Sequence, residues 1–254
     1  MMLLSIAGVT RRFGGLVAVD AVDLAVVVGG VTAVIGPNGA GKTTLFNLIS
    51  GFQAPDAGRI VFAGNDITAR APEAIAAAGL VRTFQLVQLF NDLSVLDNVR
   101  VGCHLHTEGG VLSALLRTRR TRQGEREIEA QARELLALVG LETAAESQAG
   151  TLPYGQQRLL EIARSLAARP RLLLLDEPAA GLSTEETRRL SATIRTVAER
   201  GITVLLIEHD MHLVMNTADT VAVLDFGRKI AEGRPASVRE DPAVIAAYLG
   251  AGHA

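Results

Sequence analysis

The 254-residue chain has one cysteine, no tryptophan, two tyrosines and only two lysines, Lys42 and Lys229. The single Cys103 closes no intrachain disulfide and has no second cysteine for a C-x-x-C metal or redox pair, so a reducing compartment is expected. His104 and His106 stand beside Cys103, but without further ligands the three are read as structural or exposed residues, not as a metal site. Long apolar runs are also missing. The longest, Leu24 to Ile35, is broken by Gly29, Gly30 and Thr32 and falls short of the roughly 18 to 20 residues that span a bilayer. Residues 1–9 lack the positive n-region and small-residue cleavage site of a signal peptide and read as a first strand. Neither sign of charge dominates: 25 Lys and Arg against 27 Asp and Glu give a net charge of -2, without the basic excess of a free-standing nucleic-acid binder. No nucleic-acid partner is expected. The local run Arg117, Arg119, Arg120 and Arg122 reads as a solvated loop.

What is present is a globular composition, 48% hydrophobic and 20% charged, in a length that suits one large domain with an inserted subdomain. Short β-like runs at Leu3 to Val9 and Val17 to Val28 flank a turn-rich connection and predict a small antiparallel sheet. Val31 to Ile35 reads as a buried strand, followed by a glycine-rich loop and a helix from Thr43 to Ser50. Arg59 to Phe62 predicts a strand, Gly64-Asn65-Asp66 a turn, and Pro72 to Ala78 a helix with proline in its first turn. From about residue 86 to residue 150 the periodicity is helical, with Ser94 and Asp97 as a capping pair and a charged helix from Glu125 to Val139. Beyond it, helices at Gln156 to Ala167, Thr184 to Arg200 and Met211 to Asn216 alternate with strands at Leu172 to Leu175, Thr203 to Ile207 and Val221 to Leu224. That alternation predicts an α/β fold with a mainly parallel sheet. Ser183 and Glu186 form a capping box ahead of the long helix.

Gly36-Pro37-Asn38-Gly39-Ala40-Gly41-Lys42-Thr43 satisfies G-x-x-x-x-G-K-[ST] and lies between a predicted strand and a predicted helix, where its mechanism requires it. Glycines let successive backbone N–H groups turn inward around a polyphosphate at the positive end of the helix. Lys42 is then placed to reach the β- and γ-phosphates, the Thr43 hydroxyl to complete a Mg²⁺ shell, and Thr44 to assist at a neighbouring phosphate. Four leucines, 172 to 175, precede Asp176-Glu177, the pattern of a buried strand ending in two carboxylates on the side where α/β folds bind ligands. Beside a phosphate loop their labour divides: Asp176 to hold Mg²⁺ through water, Glu177 to polarise the attacking water.

With these motifs in order, the chain resembles the ATPases of ATP-binding cassette (ABC) transporters over nearly its whole length. The resemblance implies a P-loop core with an N-terminal antiparallel β subdomain and a helical insertion, divided at 1–85, 86–150 and 151–254. It matches Phe13 to the aromatic that stacks on adenine, Gln85 to the Q-loop glutamine that also meets Mg²⁺, and His209 to the switch histidine. Leu152-Pro153-Tyr154-Gly155-Gln156-Gln157 occupies the place of the family signature, in which Leu152, Gly155 and Gln156 would complete the nucleotide site of an opposing subunit. Three positions depart from the pattern: Pro153 replaces the signature serine, Tyr154 its first glycine, and Ser183 the usual aspartate of the D-loop.

The segments Leu152 to Arg158, Asp176 to Leu182, Val81 to Gln85 and the tail Asp241 to Gly250 are similar to branched-chain amino acid import ATPases of the LivG type. That likeness implies ATP and Mg²⁺, two transmembrane permease subunits, a second ATPase of LivF type or a second copy of this chain, and indirectly a periplasmic or extracellular binding protein. It implies a peripheral location on the cytoplasmic face of the inner membrane. Leu86, Val87, Leu89 and Phe90 would then face the permease. Cassettes for urea or amide uptake or for lipopolysaccharide export share the core motifs, whereas a non-transport ABC protein would usually need a long coiled-coil insertion or two fused cassettes, and this sequence shows one cassette and no heptad run.

Overall fold

A computed structural model describes residues 1–83, 87–103 and 119–250, with the backbone alone for 119–122, 249 and 250. The chain divides into two compact units, Met1–Gln85 with Arg171–Ala254, and Leu86–Pro170. Gln85 and Leu86, both singled out in the sequence, lie outside the described residues, as do His104, His106 and Arg117.

In the first unit, β1 (Met2–Phe13) and β2 (Leu16–Val27) form an antiparallel hairpin, and buried residues alternate along β2 from Val22 to Val26. β3 (Val31–Ile35) leads through the glycine-rich loop into α1 (Lys42–Ile49). β4 (Ala57–Phe62) pairs with β1, β5 (Asn65–Asp66) with β4, and α2 (Pro72–Ala77) precedes β6 (Leu80–Arg82). Asn65 and Asp66, expected in a turn, are thus a short strand, and the chain turns one step earlier, at Ala63 and Gly64, with φ of 50° and 82°.

The second unit is helical, as expected: α3 (Val95–Cys103), α4 (Arg119–Leu138) and α5 (Tyr154–Ala167) share a core that includes Val95, Val99, Leu136, Leu160 and Ala163. α5 belongs to this unit because it buries its apolar face against α3 and α4. Ser94 caps α3 as the spacing predicts, its Oγ accepting from the Asp97 N–H at 3.0 Å and donating to Asp97 Oδ2 at 2.8 Å. α4 starts six residues before the expected Glu125, so Arg119, Arg120 and Arg122 open a helix where a loop was expected. Arginine and glutamine are good helix formers, and Gly124 alone does not interrupt them.

The first unit resumes with β7 (Leu172–Asp176), α6 (Thr184–Glu199), β8 (Thr203–Ile207), α7 (Met211–Thr217), β9 (Thr220–Asp225), β10 (Arg228–Gly233), α8 (Pro235–Arg239) and α9 (Pro242–Gly250). Six strands form one sheet in the order β10-β9-β3-β8-β7-β6, parallel throughout except for the β9–β10 hairpin. β3, β7 and β8 are buried at every residue, which is why they read as mainly apolar runs without alternation. β1, β2, β4 and β5 form the separate antiparallel sheet. β6 and β10 had no counterpart in the sequence reading. The first is three residues long and the second an edge strand carrying Arg228, Lys229 and Glu232.

Candidate functional site

The glycine-rich loop is held by close backbone packing. Gly36 has φ +150°, and a Cβ there would stand 2.1 Å from the Leu224 carbonyl oxygen at the end of β9. Gly41 has φ +98°, and a Cβ there would stand 2.2 Å from the Ala18 carbonyl oxygen on β2. Larger residues are excluded at both positions by space as well as by conformation. Gly41 is also the N-cap of α1 and offers no capping side chain, so the first N–H groups of the helix stay available for an anion.

Lys42 is 6% exposed and folds back over the loop, donating to the Gly36 carbonyl at 2.7 Å and the Pro37 carbonyl at 2.9 Å. Burial lowers its pKa below the ordinary lysine range, partly offset by the negative charges of Glu177 and Asp176. A polyphosphate would restore the charge. Nucleotide binding is therefore expected to draw a proton onto Lys42 at alkaline pH and to weaken as pH rises through the range in which the free site loses that proton. Calorimetry in two buffers of different ionisation enthalpy measures the uptake, and Lys42→Met should abolish it.

A cavity of about 470 Å³ opens over this loop, lined by Asn38, Gly39, Ala40, Gly41, Lys42, Thr43 and Thr44, by Phe13 from the end of β1, and by Glu177 and Phe226. It therefore brings together most of the phosphate loop, the candidate adenine-stacking aromatic and the candidate hydrolytic carboxylate. Phe13 carries the Arg11 guanidinium 4.9 Å from its ring centroid, a cation over one aromatic face. Phe226 was not singled out in the sequence. It sits at φ +42° in the β9–β10 turn and is 87% exposed, and an isolated apolar residue in a turn gives no periodic signal.

β7 ends in Asp176, whose Oδ2 accepts from Arg82 Nη2 at 2.7 Å, with both side chains nearly inaccessible at 5% and 6%. Arg82 also donates to Asn47 Oδ1 of α1 and to the Oγ of its C-cap Ser50, each at 2.8 Å. The sequence assigned Asp176 a metal-linked role and gave Arg82 none.

Glu177 follows in a left-handed conformation, φ +46°, with its N–H donating to the Ile207 carbonyl at 3.1 Å. A non-glycine residue held there costs about 1 to 3 kcal/mol, the kind of strain that clusters at functional sites. His209 Nδ1 lies 3.8 Å from Glu177 Oε2 and 3.9 Å from Glu208 Oε2, near both carboxylates and beyond hydrogen-bond length from each.

Glu208, like Phe226 and Arg82, has no role assigned from the sequence. Fully buried, it accepts from the Ala179 N–H at 2.8 Å, the His209 N–H at 3.0 Å and the Asp210 N–H at 3.1 Å. Burial pushes its pKa up against those three bonds. An acid directly after the mainly apolar β8 and beside a histidine resembles the pattern at Asp176, and that signal is present in the sequence.

Leu152, Gly155 and Gln156 lie in the second unit, where Pro153 stands as N-cap of α5 and Leu152 and Gly155 are buried. Ser183 spends its hydroxyl locally: Oγ donates to Glu186 Oε2 at 2.7 Å and accepts from the Glu186 N–H at 3.4 Å, the predicted capping box of α6. Cys103 is buried, its thiol pushed up in pKa by burial. Among the described residues no cluster of three or more His, Cys, Asp or Glu is placed to hold a metal ion, and no helix is long and apolar enough to cross a membrane.

Residues 19–180 match the sequence profile of the ABC transporter family, and residues 228–254 match the profile described as branched-chain amino acid ATP-binding cassette transporter. The high-affinity branched-chain amino acid transport ATP-binding protein BraF of Pseudomonas aeruginosa is 47% identical over 249 residues, 98% of each chain. LivG of Escherichia coli, which carries the same description, is 43% identical over 98% of each chain. Among solved structures, an ATP-binding cassette of an ABC transporter in its ADP conformation is similar with a TM-score of 0.85 and 34% identity, covering 98% of this chain and 99% of that one. A nucleotide-free cassette gives a TM-score of 0.84 at the same identity and coverage. With the phosphate loop intact and such similarity running the full length of both partners, the chain belongs to the ATP-binding subunits of the ABC transporters.

Proposed function

We propose that this chain hydrolyses ATP to drive an importer of branched-chain amino acids from the cytoplasmic face of the inner membrane. The observation that carries the cargo is the match of residues 228–254, a tail beyond the reach of the general ABC profile at residues 19–180. Relatives named for the same transport support it at 47% and 43% identity.

In this reading Phe13 stacks on adenine and residues 36–44 cradle the phosphates. Thr43, Gln85 and, through water, Asp176 would hold Mg²⁺. Hydroxyl, amide and carboxylate oxygens are the hard donors that ion takes, and the Arg82 bond to Oδ2 would hold the Asp176 carboxylate in place for that role. Bound Mg²⁺ neutralises and orients the β- and γ-phosphates. Glu177 accepts a proton from the water that attacks the γ-phosphorus, while the bond to the β,γ-bridging oxygen breaks. Lys42 and His209 stabilise the charge on the phosphoryl group in transit. Leu152, Gly155 and Gln156 serve the site of the opposing subunit, either a second cassette of LivF type or another copy of this chain. Two cassettes closed in this way couple to two transmembrane permeases fed by a periplasmic or extracellular binding protein.

The test is recovery of the tagged chain from its native membrane with its bound proteins, followed by assay of that complex for leucine-stimulated ATP hydrolysis. Two permeases, a second cassette and stimulation by leucine are the expected result. Recovery of lipid-export components, or a response only to urea or amides, overturns the cargo.

A further inference from the structure

The hydrolytic mechanism makes no use of two charges buried in the second unit. Arg158 and Glu161, on α5, are each 1% exposed and paired at 3.0 Å through Arg158 Nη1 and Glu161 Oε2. From there the network runs in two directions. Arg158 Nη2 reaches back one helical turn and donates to the Tyr154 hydroxyl at 3.0 Å, with its guanidinium 5.7 Å from that ring's centroid. Glu161 Oε1 accepts from the backbone N–H of Gln88 at 3.5 Å. A second link runs parallel to it: the Arg164 guanidinium stands 5.7 Å from the centroid of Phe90, whose backbone N–H and carbonyl are both bonded by the Asn98 side chain at 3.0 Å. The spacing 154, 158, 161 places all three polar residues along one face of α5.

Buried ion pairs are poor stabilisers, because desolvation offsets most of their attraction, and an apolar pair of similar volume often serves stability as well or better. What such a pair does supply is a fixed direction. Here the direction falls on Tyr154, the side chain that stands where ABC ATPases have a signature glycine. An untethered phenol at the first turn of α5 would be free to swing over Gly155 and the helix end that meets phosphate. Arg158 holds it to one place, and Glu161 holds Arg158. Burial raises the pKa of Glu161 while Arg158 opposes the shift, as expected of a carboxylate kept in place by its partner.

We propose that Arg158, oriented by Glu161, is a positioning residue that fixes Tyr154 at the helix end completing the opposing subunit's nucleotide site, and that the same pair ties segment 87–90 to that helix end. The inference rests on the proposed function for the role of that helix end and for the permease side of segment 87–90. It assigns the transfer of position between them to a charge pair inside one helix.

Three variants of the full chain test it in the membrane complex: Tyr154→Phe, Arg158→Lys, and the double replacement Arg158→Met with Glu161→Leu. The double variant removes both members of the 3.0 Å pair together, so neither is left buried without the other, and Arg164, which loses the opposing charge of Glu161, keeps its place beside the Phe90 ring. The expected result is a rise of about tenfold in the KM for ATP of the complex in all three. Tyr154→Phe and Arg158→Lys combined should cost no more than either alone. Binding of a fluorescent ATP analogue by the isolated chain should stay unchanged, since neither Arg158 nor Glu161 lines the nucleotide cavity. A double variant that folds and keeps the parental KM overturns the proposal, as does full additivity of the two single replacements. The KM comparison does not depend on cargo: a parent complex that ignores leucine refutes the transport reading and leaves this test standing.

Discussion

Glu177→Gln is expected to bind ATP as the parent does and to lower single-turnover hydrolysis by about 10²- to 10⁴-fold, the range that a positioned general base supplies. The replacement keeps the shape of the side chain and the backbone hydrogen bond from residue 177 to the Ile207 carbonyl. It leaves the phosphate loop and Lys42 untouched and removes only the capacity to take a proton from water. Glutamine matches glutamate in size and branching, so it should adopt the same left-handed backbone, and the loss will appear in the chemical step instead of in folding. Trapping of a nucleotide-bound pair of cassettes should accompany it. Rapid-quench measurement with radiolabelled ATP gives the rate, and parental turnover would remove Glu177 from the chemistry.

Arg82→Met should destabilise the first unit by about 3 to 5 kcal/mol, the penalty for leaving one member of a buried ion pair without the other. Asp176 would lose the guanidinium 2.7 Å from its Oδ2, and Asn47 and Ser50 would each lose a donor. Denaturant titration of the parent, Arg82→Met, Asp176→Asn and the double variant forms a closed cycle. A large part of the loss should return in the double variant, whose buried aspartate charge is gone. A single-variant loss below about 1 kcal/mol would mean that water or another cation serves Asp176 as well as Arg82 does.

The parts of the site that the sequence disclosed are those whose chemistry needs consecutive residues. Residues 36–44 must be contiguous to wrap a phosphate, and the all-buried β3, β7 and β8 announce themselves as mainly apolar runs whose ends lead into the candidate site residues. Capping by Ser94 and Ser183 was legible for the same local reason. Phe13 was found by resemblance alone, since one exposed aromatic at the end of a strand carries no pattern. Arg82 escaped because its partners lie 35 and 94 residues away, and separations of that size leave no trace in spacing. Its short strand β6 escaped with it. The early start of α4 was missed because an arginine run serves equally as a solvated loop and as the exposed turns of a helix.

Glu208 fastens together two connections beside the phosphate loop. One carboxylate grips the N–H of Ala179, two residues beyond Glu177, and the N–H groups of His209 and Asp210, which follow a different strand. The two connections are thereby pinned to a common pivot. In the proposed cycle, a displacement of His209 would carry Ala179 with it, so the stretch leading to Ser183 would move with the histidine. The gearing is internal to one subunit and needs no hinge of its own.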